Sequence, residues 1–374
     1  MSSVRRSSDP GVAGVRSTTK RLADAATILL NLKQDIASRR LKLGCDGGLS
    51  DVVLSLTDRL RPLGPAPRLL HVLEGHFKRV FCIDWSGDGA TENGNSTDER
   101  LVSASQDGRL MLWNARTQQK IKAISLKNEY VMSCAFEKQN GLLIASGGLD
   151  SICTLHTLDT QTLLSSELIG HSGYISCCKF ISSGGDQIIT SSGDGTVRLW
   201  DVSCATKVQS FDEHSADVMC VSVHPSHPSL FLSGSCDSTV KLWDIRRAGR
   251  CSISFEGHDG DVNSVSFMQN GMAFASGSDD SSIRICDLRS CSSINVIQTE
   301  VCAVTSLYFS NSGRILFAGY DNSSCYAWDS FLPSGKTPIF VMDKHSQRVS
   351  SVSLSSGGHV IALSSWDNTI SLWV

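Results

Sequence analysis

The sequence of 374 residues lacks the features of a membrane-spanning or secreted protein. No apolar run approaches the ~18–20 residues of a transmembrane helix. The opening residues, MSSVRRSSDPGVAG, contain no apolar segment typical of a secretory signal. The 14 cysteines include no C-x-x-C pair, which argues against zinc-ribbon and thioredoxin motifs. We therefore expect an intracellular protein whose cysteines are reduced and mostly buried as small hydrophobic residues.

An excess of charge of one sign is also missing, since the formal net charge is only −3. This balance argues against a nucleic-acid-binding surface. The first 42 residues carry nine Lys and Arg against three Asp, so a basic arm precedes a mildly acidic body. With 41% hydrophobic and 19% charged residues, the chain as a whole has the composition of a globular protein.

Catalytic and cofactor motifs fail on inspection. There is no G-x-S-x-G elbow. Gly335, Lys336 and Thr337 mimic the end of a P-loop, but Ser330 stands where its first glycine is required. The histidines are spread about one per repeat and do not cluster as metal ligands. We expect no enzyme, no cofactor and no metal site.

What the chain does contain is a repeat of 42 to 45 residues. The strings SASQDGRLMLWN, SSGDGTVRLWDV, SGSCDSTVKLWDI and SSWDNTISLWV align with one another, and three weaker copies complete the set. The anchor acids of the seven copies are Asp107, Asp150, Asp194, Asp237, Asp280, Asp321 and Asp367. The closing positions are Trp113, His156, Trp200, Trp243, Cys286, Trp328 and Trp373. This period, with its Gly-His and Trp-Asp marks, is typical of a WD-repeat β-propeller with four strands per blade.

Seven copies predict seven blades. In TVRLWDV, Val197 and Leu199 alternate with Arg198, as expected for a half-buried strand. The run RLLHVLEGH lacks a blade of its own, whereas the chain ends directly after an inner-strand pattern. We therefore expect residues 68–75 to pair with the last blade and close the ring.

Three blades repeat a set that resembles a Ser-His-Asp catalytic triad. The members are His76, Ser103, Asp107 and Trp113; His171, Thr190, Asp194 and Trp200; and His214, Ser233, Asp237 and Trp243. A nucleophile needs one exposed hydroxyl beside an oxyanion hole, not one copy per blade. The repetition favours buried structural networks. We expect incomplete networks in blade five, where Cys286 replaces Trp, and in blade seven, where Leu363 replaces Ser or Thr.

Before the ring, residues 17–43 have a heptad pattern. Its apolar positions are Leu22, Ala25, Leu29, Leu32, Ile36 and Leu43. A single helix this short is only marginally stable in water, so its apolar stripe must be buried against another surface. A partner helix, the propeller itself or a second copy of the chain would each supply one. The predicted organisation is a disordered tail over residues 1–16, a coiled-coil α-helix over 17–43, a short helix and Pro-rich linker over 44–67, and an all-β propeller over 68–374.

A heptad helix followed by one seven-bladed ring resembles the β subunits of heterotrimeric G proteins. The strings LVSASQDG, SGGLDSIC, GHSGYISCCKF, SGSCDS and SWDN are similar to the corresponding stretches of that family. The second and sixth blades lack the anchor His, as they do in the family. GSCDSTVKLWD and GRILFAGY are closer to its plant-type members.

The resemblance implies a non-catalytic scaffold at the inner face of the plasma membrane. In this family a lipidated γ subunit winds along the N-terminal helix and supplies the membrane attachment. The GDP-bound α subunit covers one face of the ring, and nucleotide exchange uncovers that face for downstream effectors. Carried over position by position, the α- and effector-facing residues are Phe77, Arg79, Phe81, Arg109, Met111, Lys120, Tyr130, Met132, Leu149, Ser151, Ser172, Tyr174, Asp217, Met219, Cys236, Asp261, Asn263, Asp279 and Trp366.

The chain departs from the family pattern at several of these positions. Tyr130 stands where Trp is usual, Arg79 and Arg109 replace Lys, and Met111 replaces a branched aliphatic residue. An Arg keeps the charge of a Lys but changes the hydrogen-bond geometry. A generic WD-repeat adaptor is the alternative function, although it explains neither the heptad arm nor the matching strings.

Overall fold

The computed structural model describes residues 65–87, 100–158, 165–181, 185–247, 249–299, 302–332 and 337–374. The predicted heptad helix, its six apolar positions, and the tail and linker up to residue 64 lie outside these residues. Within the described residues, 28 strands form seven antiparallel sheets of four strands each. The prediction of a seven-bladed propeller is therefore confirmed.

Blades 1 to 4 follow one another along the chain. Blade 1 contains β2 (Val80–Trp85), β3 (Arg100–Ser105), β4 (Arg109–Asn114) and β5 (Gln119–Ser125). Blade 2 contains β6 (Val131–Phe136), β7 (Leu143–Gly148), β8 (Ile152–Thr157) and β9 (Ser165–Ile169). Blade 3 contains β10 (Ile175–Phe180), β11 (Gln187–Ser192), β12 (Val197–Asp201) and β13 (Thr206–Phe211). Blade 4 contains β14 (Val218–Val223), β15 (Leu230–Ser235), β16 (Val240–Asp244) and β17 (Cys251–Phe255).

Blades 5 to 7 complete the ring. Blade 5 contains β18 (Val262–Phe267), β19 (Ala273–Ser278), β20 (Ser282–Asp287) and β21 (Ser292–Gln298). Blade 6 contains β22 (Val304–Phe309), β23 (Ile315–Tyr320), β24 (Cys325–Asp329) and β25 (Phe340–Met342). Blade 7 contains β26 (Val349–Leu354), β27 (Ile361–Ser365), β28 (Thr369–Trp373) and, as its outermost strand, β1 (Leu69–Glu74). The first strand of each blade contacts that of the next, and β26 returns to β2, so these innermost strands surround the axis.

The ring closes through β1 and β28, as the sequence predicted. Leu73 lies opposite Ile370, and Arg68 and Val374 extend the ladder by exchanging two backbone hydrogen bonds of 2.7 and 2.9 Å. This pairing gives β28 a partner on both sides, which removes an unpaired edge from the last sheet.

The hydrophobic core lies between blades rather than at one centre. Seven clusters of buried side chains occupy the seven interfaces between neighbouring blades. In β12, Val197 and Leu199 are fully buried while Arg198 is half-buried, which confirms the predicted alternation. Each sheet thus buries both of its faces against neighbours, and the ends of the strands remain free to carry function.

Candidate functional site

The three predicted side-chain sets each form a continuous hydrogen-bond chain. In blade 3, the Trp200 indole donates to Thr190 Oγ1 at 2.8 Å, and Thr190 Oγ1 lies 2.8 Å from His171 Nε2. His171 Nδ1 lies 2.9 Å from the Asp194 carboxylate. Blades 1 and 4 repeat this arrangement. In blade 1, His76 Nε2 lies 2.7 Å from the Ser103 hydroxyl, and the Trp113 indole donates to that hydroxyl at 2.8 Å. In blade 4, His214 Nε2 lies 2.7 Å from the Ser233 hydroxyl, and the Trp243 indole donates to that hydroxyl at 2.8 Å. His76 Nδ1 and His214 Nδ1 lie 3.2 and 2.7 Å from the carboxylates of Asp107 and Asp237.

The electrostatics of these chains suit a structural role. Burial lowers the pKa of His171, which keeps its ring neutral, with Nδ1–H donating to Asp194 and Nε2 accepting from the hydroxyl. Hydrogen bonds from Thr196 and His171 outweigh burial and lower the pKa of Asp194 to about 2. The hydroxyls of Ser103, Thr190 and Ser233 are completely buried, so none is accessible to a substrate.

Blade 7 differs from its sequence-based expectation, because its network is complete. Ser371, directly opposite Leu363 in the sheet, supplies the missing hydroxyl. Its Oγ lies 2.8 Å from His345 Nε2 and accepts a hydrogen bond from the Trp373 indole N–H at 2.9 Å. The expectation of an incomplete network was wrong here because the hydroxyl reaches the same point in space from the adjacent strand.

In blade 5 the network lacks only its indole. His258 Nε2 lies 2.8 Å from Ser276 Oγ, and His258 Nδ1 lies 2.9 Å from the Asp280 carboxylate. Cys286 lies opposite Phe274, the sheet position held by Trp in blades 1, 3 and 4. The hydrogen bonds that join the loop at His258 to the turn at Asp280 and to Ser276 are therefore retained without the tryptophan.

The anchor of blade 6 is Asn322 and not Asp321. Asn322 Oδ1 accepts the backbone N–H of Ser324 at 3.2 Å, as Asp194 Oδ1 accepts that of Thr196 at 3.0 Å. Asp321 occupies the preceding position, where Trp366 stands in blade 7. The prediction was one residue early because an Asp precedes the Asn.

One end of the ring, the rim, is built from equivalent positions in every blade. The residue before each innermost strand accepts a backbone hydrogen bond from the residue before each anchor. These seven pairs, acceptor first, are Arg79–Gln106, Tyr130–Leu149, Tyr174–Gly193, Asp217–Cys236, Asp261–Asp279, Ala303–Asp321 and Arg348–Trp366. Nine of the predicted α-facing residues belong to these pairs, so the fold brings them to one face.

The rim of blades 7 and 1 carries a cationic aromatic cluster. The guanidinium groups of Arg79 and Arg348 lie 4.4 and 5.1 Å from the centre of the Trp366 ring. Phe81 meets Trp366 edge to face at 6.3 Å. Beside them, the Arg109 guanidinium lies 5.2 Å from the ring of Phe77, which is 73% exposed. Cation–π contacts hold these long side chains in place before any partner binds.

Arg348 is a rim residue that the sequence analysis missed. It stands directly before β26, as Arg79 stands directly before β2. The equivalent position in blades 4 and 5 is Asp217 and Asp261, both of which were identified. Aligning the residue before each innermost strand would have found it.

The rim of blades 3 to 5 carries an acidic cluster. The Tyr174 hydroxyl donates to Asp217 at 2.7 Å and also contacts Met219 Sδ at 3.6 Å. The Asn263 amide donates to Asp279 at 2.6 Å. Burial and a hydrogen bond to Asp261 raise the pKa of Cys236 to about 12, so this thiol remains protonated among the acids.

Blade 2 contributes the less charged part of the rim. Met132, Leu149 and Ser151 lie at its rim end, and Leu149 is 52% exposed. Tyr130 has a φ of 63°, a left-handed conformation that is unfavourable for an aromatic residue. In blade 3, the backbone N–H of Ser172 donates to Asp194 at 3.1 Å.

Two predicted residues are not on the rim. Lys120 is exposed on β5, but it pairs with Trp113 at the strand end opposite the rim. Met111 is completely buried in the cluster between blades 7 and 1. Both lie on the outer strands of blade 1, where Lys120 presents a cation at the side of the ring.

Neither a membrane helix nor a metal cluster was found within the described residues. None of the described segments forms a helix with the length and apolarity of a bilayer crossing. The described His, Cys, Asp and Glu side chains include no group of three placed to hold a metal ion.

Comparison with known proteins gives consistent matches over most of the chain. The family model described as "G protein beta WD-40 repeat protein" matches residues 22–374. A "Guanine nucleotide-binding protein subunit beta" from Arabidopsis thaliana is 39% identical, with 96% of this chain and 97% of that protein aligned. A protein of the same description from Zea mays is 41% identical over 80% of this chain and 82% of its own length. A "subunit beta-2" from Nicotiana tabacum is 38% identical over 93% and 95%.

Proposed function

The chain belongs to the G protein beta WD-40 repeat family, and we propose that its rim binds a G-protein α subunit while its N-terminal segment pairs with a γ subunit. Its general role is that of a G-protein β scaffold, which the named relatives support. The individual partners are our proposal.

The observation that carries the proposal is the pair of clusters on one rim. The cluster around Trp366 offers aromatic surface with fixed cations, and the cluster around Asp217 and Asp261 offers fixed anions. Protein interfaces combine aromatic anchors with charges that set orientation and exclude wrong partners. A partner carrying acidic and basic patches at the matching separation would bind in one orientation only.

A shared rim also gives a mechanism of regulation. If the GDP-bound α subunit and the downstream effectors use the same residues, binding of one excludes the other. Nucleotide exchange that weakens the α contact then releases the surface to effectors. The propeller itself need not change shape, because seven buried interblade clusters hold the rim residues in place.

We propose the γ contact from the heptad pattern alone. Leu22, Ala25, Leu29, Leu32, Ile36 and Leu43 would form one side of a two-stranded coiled coil. A lipidated γ subunit would then hold the complex at the cytoplasmic face of the plasma membrane.

We also propose that the ring has no catalytic activity. The repeated Ser, His and Asp sets support this, because their hydroxyls are buried and each one is occupied by an indole or imidazole partner. A hydrolytic nucleophile needs an exposed hydroxyl beside a group that stabilises an oxyanion.

Co-expression tests the proposal against the generic adaptor. The full chain is produced with a small prenylatable coiled-coil γ protein and then offered an α subunit loaded with GDP. We expect Trp366→Ala and Asp261→Ala to weaken α binding while the γ complex stays intact. Met272→Ala is the matched control, since Met272 is 51% exposed in the turn between β18 and β19, away from the rim.

The outcomes separate the two functions. A chain that is soluble and monomeric alone and ignores the γ protein would support the generic adaptor. Loss of folding in Trp366→Ala or Asp261→Ala would reassign that residue to a structural role. Equal α binding by the rim variants and by Met272→Ala would rule out this rim as the α surface.

A further inference from the structure

One position on the innermost strands lies against the neighbouring blade. It is the third residue of the strand, two residues after the Val or Ile with which each innermost strand begins. In blades 2, 5 and 6 it is a serine whose hydroxyl accepts a backbone N–H of the following blade: Cys178 to Ser133 at 2.9 Å, Leu307 to Ser264 at 3.0 Å and Val352 to Ser306 at 2.8 Å. In blade 1 the same position is Cys82.

The residue that faces this position in the next blade is the fourth of its strand. For Cys82 of blade 1 it is Cys134 of blade 2. Cys82 Sγ lies 3.6 Å from the Cys134 carbonyl oxygen, and Cys134 Sγ lies 3.5 Å from the Cys82 carbonyl oxygen. Among the described innermost strands, this is the one facing pair in which both residues are cysteines.

The next pair around the ring shows how closely such side chains approach. Ser133 of blade 2 faces Cys178 of blade 3, and Ser133 Oγ lies 3.3 Å from Cys178 Sγ. Side chains at these two facing positions are therefore in direct contact in the second pair, and we infer the same approach for the two sulfurs of the first pair.

Cys82 is also accessible from the axis of the ring. It lines a cavity of about 520 Å³ together with Asp84, Lys138 and Lys179. Lys138 Nζ lies 3.1 Å from Asp84 Oδ2, and Lys179 Nζ lies 3.4 Å from Asp84 Oδ1. Two lysines against one carboxylate leave this wall of the cavity positive, which favours the thiolate form of Cys82.

The two thiols of the pair differ in acidity. The hydrogen bond from Cys134, supported by the charge of Lys179, lowers the pKa of Cys82 to about 7 against the effect of burial. Burial raises the pKa of Cys134 well above its usual value. Cys82 is thus the more acidic thiol and the nucleophile of the pair, and Cys134 is the protonated thiol beside it.

Other cysteines of the ring lack one of these features. Cys177 lines the same cavity, but it faces Val221, and burial raises its pKa to about 12. Cys153 and Cys178 interact with each other, but both are completely buried. Proximity, access and acidity coincide at Cys82.

We propose that Cys82 and Cys134 are a redox site that forms a reversible disulfide between blades 1 and 2 when hydrogen peroxide enters the cavity. The Cys82 thiolate attacks one peroxide oxygen, the O–O bond breaks, and sulfur loses two electrons to become a sulfenic acid. The leaving hydroxide takes up a proton and becomes water. Cys134 then attacks the sulfenic sulfur, the S–S bond forms, and the hydroxyl departs with the Cys134 proton as a second water. A dithiol reductant reverses the reaction.

The test uses the full-length chain treated with hydrogen peroxide and then alkylated. Tryptic digestion releases Cys82 in residues 80–100 and Cys134 in residues 128–138. We expect these two peptides to be linked, with a loss of two hydrogens, and to separate on dithiothreitol treatment. Reversal by dithiothreitol distinguishes the disulfide from oxidation of Met132, which lies in the second peptide. We expect Cys82 to be consumed about tenfold faster than Cys177, since its thiolate fraction is larger.

Two variants and one control complete the design. In Cys134→Ser, we expect no linked peptide and a Cys82 sulfenic acid that dimedone traps. In Cys82→Ser, we expect Cys134 to remain reduced. Cys177→Ser, on the same cavity, should leave the linked peptide unchanged. Oxidation of the exposed Cys204 and Cys291 without an 82–134 link, or no dimedone adduct in Cys134→Ser, would overturn the proposal.

Discussion

Ser371 lies directly opposite Leu363 in blade 7, and its hydroxyl accepts the hydrogen bond that Trp373 would otherwise lack. In blades 1, 3 and 4 the equivalent hydroxyl comes from the neighbouring strand, at Ser103, Thr190 and Ser233. In these four blades the hydroxyl oxygen that accepts the indole hydrogen bond occupies the same position, although the strand that carries it differs.

The location of this hydroxyl on β28 predicts a large effect of Ser371→Ala on stability. The variant leaves the buried His345 and Trp373 nitrogens without their partner, so we expect the free energy of unfolding to fall by about 2–4 kcal/mol. The double variant Leu363→Ser, Ser371→Ala returns the hydroxyl to the strand used by the other blades and should recover part of the loss. Urea unfolding of the three chains measures both effects. A double variant no more stable than Ser371→Ala would contradict the equivalence of the two positions.

His156 predicts a specific pH dependence of stability. It occupies the Trp position of blade 2, and burial lowers its pKa to about 4. Because the folded pKa is below the ordinary 6.5, the unfolded chain binds the proton more readily. The contribution of His156 to the free energy of unfolding is therefore complete above pH 6.5, and it falls by about 3 kcal/mol as the pH falls towards 4.

The variant His156→Trp tests this assignment. A cavity of about 300 Å³ lies against His156 and Ser146, and an indole there would donate to Ser146 as Trp200 donates to Thr190. We expect a shallower decline of unfolding free energy between pH 6.5 and 4 than in the parent chain. His171 and His258, whose pKa values are also lowered by burial, would keep part of the slope. Parallel pH profiles for parent and variant would show that His156 does not contribute.

Arg348 predicts an effect on partner binding that the sequence did not reveal. Its guanidinium lies over Trp366 and also 3.6 Å from Asp321, so Arg348→Ala should free the indole and weaken α·GDP binding about threefold. Arg246→Ala is the matched control, since this exposed Arg pairs with Asp244 at the end of β16 away from the rim. Biolayer interferometry with the full chain measures both. Equal weakening by the two variants would indicate a non-specific charge effect.

Ring closure predicts that residues 68–75 are indispensable. Their deletion would leave β28 unpaired and uncover the cluster that contains Leu73, so we expect no cooperatively folded product. Leu73→Ala is the graded version and should cost about 2–4 kcal/mol, because Leu73 is only 2% exposed. Leu70→Ala, at a position 48% exposed on the same strand, should stay within about 0.5 kcal/mol. Thermal unfolding by circular dichroism compares the variants, and a deleted chain that melts like the parent would refute the prediction.

The sequence by itself determined the seven blades, their order, the closing strand and the three complete side-chain networks. These features follow from a pattern repeated at a constant period, because each copy encodes its own turns and its own alternation of buried residues. The anchor of blade 6 was misplaced by one residue because Asp321 and Asn322 are adjacent and only the backbone hydrogen bonds distinguish their roles.

Only the tertiary structure decided which residues of different blades meet. Arg348 and Trp366 are 18 positions apart, but Trp366 and Arg79 are 287 apart, and Cys82 and Cys134 belong to different repeats. Pairing across blades depends on how sheets twist and pack around the axis, which no local pattern records. The repeats of the chain thus encode the propeller, whereas the contacts between side chains on the rim and in the axial cavity form only when the ring closes.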